Sequence, residues 1–326
     1  MILMVSPAPP SSSSGNWVTA ERWASHLTAV GHRVEHAEGF RPGEYRALIA
    51  LHARKSAAAI RQFRAAYPAR PIVVALTGTD LYPDLTSTGV DPAVLEIATR
   101  IVVLQPQALA QLDDELRPRA RVIVQSMPPI PSVPHRSEVF EVAFLAHLRE
   151  VKDPLRVAEA TRLLPADSRV VVNHAGAGLD PELSAEADAE SRRNPRYTWL
   201  GELPRLSALQ LLARSRLLVL TSRHEGGANV ISEALAAGVP VLSSRIPGSV
   251  GLLGTDYPGY VPVGDTAALA DTLRAAETDR NGYYTTITRH CWRLRALVDP
   301  QRERRAWADL LAELDVPAPT GRMVDA

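Results

Sequence analysis

Thr221-Ser-Arg-His-Glu-Gly-Gly-Ala-Asn-Val-Ile-Ser-Glu-Ala-Leu-Ala-Ala-Gly-Val-Pro-Val241 follows directly on the apolar run Leu217-Leu-Val-Leu220. The apolar run reads as a buried strand and Gly226-Gly227 as a turn. From Asn229 the spacing is helical until Gly238 stops it and a new strand begins near Pro240. Strand, glycine turn and helix in that order make the βα unit of a parallel sheet. Amides freed at Gly226, Gly227 and the helix start, with the helix dipole behind them, favour an anion such as a diphosphate. Glu225 falls in the loop and Glu233 about one turn into the helix. There a carboxylate can accept two hydrogen bonds from the vicinal hydroxyls of a ribose. Taken alone, the two glutamates read as well as solvated acids at a helix start; the flanking strand, the glycines and the closing Ala-Ala-Gly-Val-Pro-Val favour the ligand site.

The same rhythm runs outward in both directions. Short aliphatic runs predict strands at 2–6, 33–36, 47–51, 72–76, 100–104 and 122–124, with helices at 16–30, 56–67, 91–98 and 106–115. Four prolines between Met127 and Pro134 then exclude a helix or a central strand. The rhythm restarts with strands at 141–146, 169–173, 197–200, 217–221 and 240–243, and helices at 154–163, 207–213 and 229–237. The fold class is therefore α/β, with two doubly wound Rossmann-like domains facing a cleft. Domain bounds are expected at 1–127 and 135–299 with a Pro-rich hinge at 128–134. A closing helix, 300–314, carries Trp307, Leu310, Leu311 and Leu314 on one stripe and should pack back on a domain before a flexible tail to Ala326.

Length agrees, since 326 residues at roughly 150 per domain suggest two. Thirty-six basic residues balance 36 acidic ones, so the chain lacks the electrostatic footprint of a nucleic-acid binder. The one cysteine, Cys291, forms no internal disulfide, offers no thiolate cluster for a metal, and reads as a packed thiol. No stretch reaches the about 18 apolar residues of a membrane span, and the short apolar start running into Pro7 is not a leader peptide. A cytoplasmic location fits these features. Among the basic residues only Lys55 and Lys152 are lysines, against 34 arginines.

With those residues in view, the 221–241 segment resembles the donor-nucleotide motif of two-domain GT-B glycosyltransferases, the large group carrying an E-x7-E signature. Glu225, Gly226, Asn229, Glu233, Ala234, Gly238, Pro240 and Val241 match it in order. Gly15 in the first loop and Gly31-His32-Arg33-Val34 closing the first helix extend the resemblance over most of the chain. It implies a nucleotide-sugar donor held by Arg223, Glu225, Gly226, Gly227, Ala228, Asn229 and Val230, with Glu233 on the ribose. A second motif, Phe144-Leu-Ala-His-Leu-Arg-Glu-Val-Lys-Asp-Pro154, places Lys152 at the family's diphosphate lysine. His147 stands where the family has arginine, and Arg149, two residues on, is the other candidate for that charge. Preorganised cations there would stabilise the departing diphosphate.

The acceptor is expected on the N-terminal domain. His52, Arg54 and Lys55 follow the strand 47–51, and Ser56 reads as a helix cap, so an anion is suited there. Thr79 and Asp80 lie on a neighbouring loop in which Thr77 replaces the family's histidine; Gly15 and Asn16 complete the expected set. The strings Gly15-Asn-Trp-Val-Thr-Ala, Leu48-Ile-Ala-Leu-His-Ala-Arg-Lys-Ser-Ala, Ala75-Leu-Thr-Gly-Thr-Asp-Leu-Tyr and His147-Leu-Arg-Glu-Val-Lys-Asp-Pro resemble a narrower group, the selenosugar synthases of selenoneine biosynthesis. That resemblance implies transfer of a hexosyl group from UDP-N-acetylglucosamine or UDP-glucose to selenium of selenophosphate, by a monomer or homodimer, with His52, Arg149, Lys152 and Glu225 as catalytic groups and no cofactor or metal. The alternatives are another small or lipid acceptor on the same fold, or a UDP-sugar epimerase. Asn173-His-Ala-Gly-Ala-Gly178 lacks the third glycine of a dinucleotide fingerprint, and Glu186-Ala-Asp-Ala-Glu190 reads as a solvated helical face.

Overall fold

The computed structural model describes residues 1–9, 14–85 and 87–316. The chain divides into two compact units: Met1–Gln125 together with the closing helix Pro300–Glu313, and Ser126–Asp299. The polar loop 11–14 and the tail after Val316 lie, but for Ser14, outside the described residues.

The first unit carries β1 (Ile2–Val5), β2 (Val34–Ala37), β3 (Ala47–Leu51), β4 (Ile72–Leu76), β5 (Arg100–Val103) and β6 (Ala120–Val122) in one sheet of order β2-β1-β3-β4-β5-β6. Every pairing is parallel. Successive strand side chains alternate between faces, and here both faces are covered. Leu3, Val5, Leu48, Ala50, Val74 and Val103 pack with Ile60 and Phe63, whereas Met4, Ile49, Val73 and Val102 pack with Trp23, Leu27, Trp307 and Leu310. That double burial is why these strands read as continuous apolar runs rather than as alternating ones.

The closing helix lies against the helix Gly15–Ala29, with the Trp23 and Trp307 rings edge to face at 4.7 Å. Glu303, on the same stripe as Trp307, is buried and receives Trp23 Nε1 (2.6 Å) and Arg22 Nε (3.0 Å), with His26 Nε2 at 3.1 Å.

The second unit holds β7 (Phe140–Leu145), β8 (Val170–Ala175), β9 (Tyr197–Trp199), β10 (Leu217–Leu220), β11 (Val241–Ser244) and β12 (Tyr260–Val261), again all parallel, in the order β12-β11-β10-β7-β8-β9. Met127 N donates to Val298 O and Ile130 N to Ala236 O, so the proline-rich segment bonds along this unit without regular structure.

Several elements differ from expectation. The helix expected over 106–115 is only a 3-10 turn, Pro106–Gln111; Asp113 and Asp114 would sit at the negative end of a longer helix, where carboxylates are unfavourable. The helices Pro181–Arg193, Pro247–Leu253, Thr266–Glu277 and Tyr283–Leu294 were not singled out by apolar spacing. In Pro181–Arg193 the buried face is only Ala187 and Glu190. Glu190 is thus no solvated acid: Arg162 Nε and Arg193 Nε each reach it at 2.8 Å, as does Asn194 Nδ2. Cys291 is a packed thiol, 3.3 Å from Tyr257 Oη, and burial pushes its pKa up.

Candidate functional site

In an open α/β sheet, ligands collect beyond the carboxyl ends of the strands where the winding reverses, because the loops on either side of that point diverge and leave room. In the second unit the reversal falls between β7 and β10, paired through Leu217 with Val142 and Leu218 with Ala143. The loops that follow those two strands are the ones holding Lys152 and Glu225.

They are stitched together. Thr221 Oγ1 donates to the Lys152 and Asp153 carbonyls, both at 2.9 Å, and Arg223 N to Val151 O at 2.8 Å. Asp153 takes a left-handed φ of 45° to end the short turn Glu150–Lys152. The result aims Lys152 Nζ at Glu225 Oε1, 2.5 Å away, and Ser222 Oγ donates to the same oxygen at 2.7 Å. Behind the loop, a Cβ on Gly248 would stand 2.2 Å from the Glu225 carbonyl oxygen, so only glycine admits this approach.

The helix Asn229–Ala237 starts at Ala228 with no capping side chain, and Glu233 sits one turn in, 7 % exposed. Its Oε1 is met by Arg205 Nη2 at 3.0 Å. Sequence reasoning missed Arg205, the first residue of the helix Arg205–Arg214, which no motif marks. Gly226 and Ala228 are buried, and Gly227, Asn229 and Val230 partly so. Arg223 turns toward Glu150, at 3.4 Å, and Asp153, at 3.9 Å, so its charge is spent on the neighbouring loop.

Arg149 is exposed. His147, at the position expected to carry a second cation, accepts the Ala177 amide at Nδ1 (3.0 Å). A Cβ on Gly176 would lie 1.8 Å from Ala146 O, which explains that glycine without any dinucleotide. His174 beside it is neutral, its pKa lowered by burial to about 4, and bridges Tyr197 Oη and Ala146 O.

In the first unit the reversal falls between β1 and β3. His52 ends β3 with a φ of 68°, a left-handed conformation uncommon for a residue with a Cβ. Asp80 holds it there. This fully buried carboxylate accepts Ala53 N (3.1 Å), Arg54 N (3.4 Å), Thr77 N (3.1 Å) and Thr77 Oγ1 (3.2 Å), and Oδ1 contacts His52 Nδ1. Asp80, expected as an acceptor ligand, therefore has its oxygens turned inward and serves as the brace of the loop.

His52 is itself 1 % exposed. Thr79 Oγ1 lies 3.0 Å from its Nε2 and is partly exposed. Arg54 and Lys55 point outward. Ser56 does not cap the helix Ala57–Ala66; its hydroxyl donates instead to Leu51 O at 2.6 Å. Gly15 is the first residue of its helix rather than a loop residue, with Ser14 Oγ accepting Trp17 N at 3.4 Å, and Asn16 follows it partly exposed.

Two doubly wound α/β units, the second with a Lys152-Glu225-Ser222 cluster at its winding reversal and a buried Glu233 in the helix that follows, define a GT-B type architecture. The sequence profile described as "Glycosyl transferases group 1" matches residues 130–292. The chain belongs to that family. It is 28% identical over 277 residues to Glycosyltransferase 1 domain-containing protein 1 of Xenopus tropicalis, covering 76% of this chain and 80% of that one. It is 27% identical over 207 residues to 2-deoxystreptamine N-acetyl-D-glucosaminyltransferase of Streptomyces fradiae, covering 62% of this chain and 48% of that relative. Among solved structures, Anabaena HepE in complex with UDP-glucose superposes with a TM-score of 0.74 at 16% identity, covering 96% of this chain and 99% of that one. Among the described residues no helix is long and apolar enough to cross a membrane.

Proposed function

We propose that this glycosyltransferase moves a hexosyl group, N-acetylglucosamine or glucose, from a UDP-sugar to selenium of selenophosphate. The donor reading is supported by the juxtaposition of Lys152, Glu225 and Glu233 at one winding reversal. In this reading Glu233 takes the ribose hydroxyls, Lys152 and Arg149 face the diphosphate, and no metal is needed to neutralise it.

One observation carries the acceptor reading. Arg54 and Lys55 project from an uncapped helix start beside the braced His52, an arrangement suited to an acceptor that brings its own phosphoryl group. Selenium of selenophosphate is a soft anionic nucleophile, so attack on the sugar needs no proton removed first.

The test is incubation with UDP-N-acetylglucosamine or UDP-glucose and selenophosphate, with mass spectrometry for UDP and a selenium-bearing hexose. Both are expected. UDP release with thiols, sugars or lipids but none with selenophosphate would assign another acceptor, and an exchanged epimer without any acceptor would assign an epimerase.

Arg205 gives a separate expectation. Its guanidinium occupies the Glu233 carboxylate that the ribose would use, through a pair whose arginine is 45% exposed. Such pairs are worth about 0.2–1 kcal/mol. Arg205→Gln should therefore tighten UDP binding by a factor of about 1.4 to 5 by calorimetry; weaker binding would make Arg205 a ligand of the nucleotide instead.

A further inference from the structure

Asp80, His52 and Thr79 stand in line: carboxylate, imidazole, hydroxyl. Asp80 Oδ1 contacts His52 Nδ1, and His52 Nε2 lies 3.0 Å from Thr79 Oγ1. The tautomer follows from the contacts. Asp80 already accepts three backbone amides and the Thr77 hydroxyl, so it meets Nδ1 as an acceptor and the ring proton sits on Nδ1. The Lys55 amide, at 3.5 Å from Nδ1, is too distant to reverse that assignment. Nε2 then offers a lone pair to the Thr79 hydroxyl. His52 is buried and cannot meet a substrate, whereas Thr79 is partly exposed and lies on the same loop cluster as Arg54 and Lys55. The left-handed backbone of His52 is kept by the Asp80 brace and serves this alignment.

We propose that Asp80, His52 and Thr79 form a proton relay that hydrolyses the phosphorus–selenium bond after the sugar has been transferred. The inference rests on the selenophosphate reading above. Attack by selenium leaves a glycosyl-selenophosphate, a carbon–selenium–phosphorus adduct, and a phosphate-free product requires water at phosphorus. The water oxygen bonds to phosphorus, the phosphorus–selenium bond breaks, and its electron pair leaves on selenium as a selenolate. The water proton passes to Thr79 Oγ1 while the hydroxyl proton of Thr79 moves to His52 Nε2. Asp80 faces the imidazolium so formed, which afterwards returns its proton through the partly exposed Thr79 hydroxyl to solvent. Arg54 and Lys55 hold the phosphoryl oxygens. Thr79 touches the reacting water; His52 and Asp80 act through it as positioning residues.

The experiment measures, at matched UDP release, the ratio of phosphorylated adduct to phosphate-free selenosugar by mass spectrometry. It uses the full chain with UDP-N-acetylglucosamine and selenophosphate. Thr79→Val and His52→Asn are expected to raise that ratio at least tenfold, and asparagine tolerates the left-handed backbone at position 52. Thr79→Ser, which keeps the hydroxyl, should restore the wild-type ratio. A merely structural role would lower both products together and leave the ratio unmoved, and that result overturns the relay. A phosphate ester found on Thr79 would overturn it in favour of direct attack by the hydroxyl. If the wild type makes no UDP from selenophosphate, the acceptor reading falls and the hydrolysis falls with it; adduct and free product in wild-type ratio in every variant would sink the relay alone.

Discussion

Replacing Lys152 with alanine is expected to lower glycosyl transfer by about 10²- to 10³-fold, the usual cost of removing one preorganised charge from the position where negative charge develops. Its ammonium lies 2.5 Å from Glu225 Oε1 and sits on a loop tied to the β10 end by three backbone-directed bonds. Little needs to move for it to meet a departing diphosphate. The loss should be in turnover more than in fold, because Lys152 is partly exposed and its backbone contacts survive truncation. Lys152→Arg keeps the charge but puts a planar, longer guanidinium where a compact ammonium with three rotatable donors fits, and most of the activity should still be lost. Steady-state kinetics on both variants, beside circular dichroism to show retained structure, checks this. Near-normal turnover in Lys152→Arg would mean that charge alone matters; near-normal turnover in Lys152→Ala would remove this lysine from the donor site.

The largest effect on stability is expected at Glu303. Its carboxylate is 1 % exposed and receives the Trp23 indole N–H and the Arg22 guanidinium, with His26 Nε2 beside it. Glu303→Ala leaves a buried N–H and a largely buried guanidinium without that acceptor, and breaking a buried pair by removing one partner costs about 3–5 kcal/mol. The same substitution opens space under Trp307 and loosens the closing helix from Gly15–Ala29. Thermal unfolding should drop by about 10 °C for a unit of this size. Glu303→Gln retains one acceptor oxygen and should recover part of the loss. An unchanged midpoint in Glu303→Ala would show that the tryptophan packing alone holds the helix.

The strand-turn-helix motif was legible because it is local. Ser222, Glu225, Gly226, Asn229 and Glu233 lie within one strand-turn-helix unit, so their spacing alone places them about one strand end. Lys152 was legible by resemblance to a family pattern, although its 2.5 Å approach to Glu225 joins loops that are far apart in the chain. Arg205 was not legible at all, since its contact with Glu233 depends on how the helix Arg205–Arg214 is set against Asn229–Ala237. Ser56 misled because a serine before a helix is a good cap on average, yet the nearer Leu51 carbonyl took its hydroxyl. Asp80 misled for a related reason: its place in a loop suggested a ligand, while the tertiary fold surrounded it with amides.

Periodicity, turns and composition thus settled the parallel α/β class, most strands and the strand-turn-helix unit that carries Glu225 and Glu233, because each depends on neighbours along the chain. The winding order of the two sheets, the buried Glu303 that fastens the last helix to the first, and the Asp80-His52-Thr79 line were decided only by tertiary structure. Each of these joins residues distant in sequence, and burial then determines which hydrogen bonds their polar groups must find.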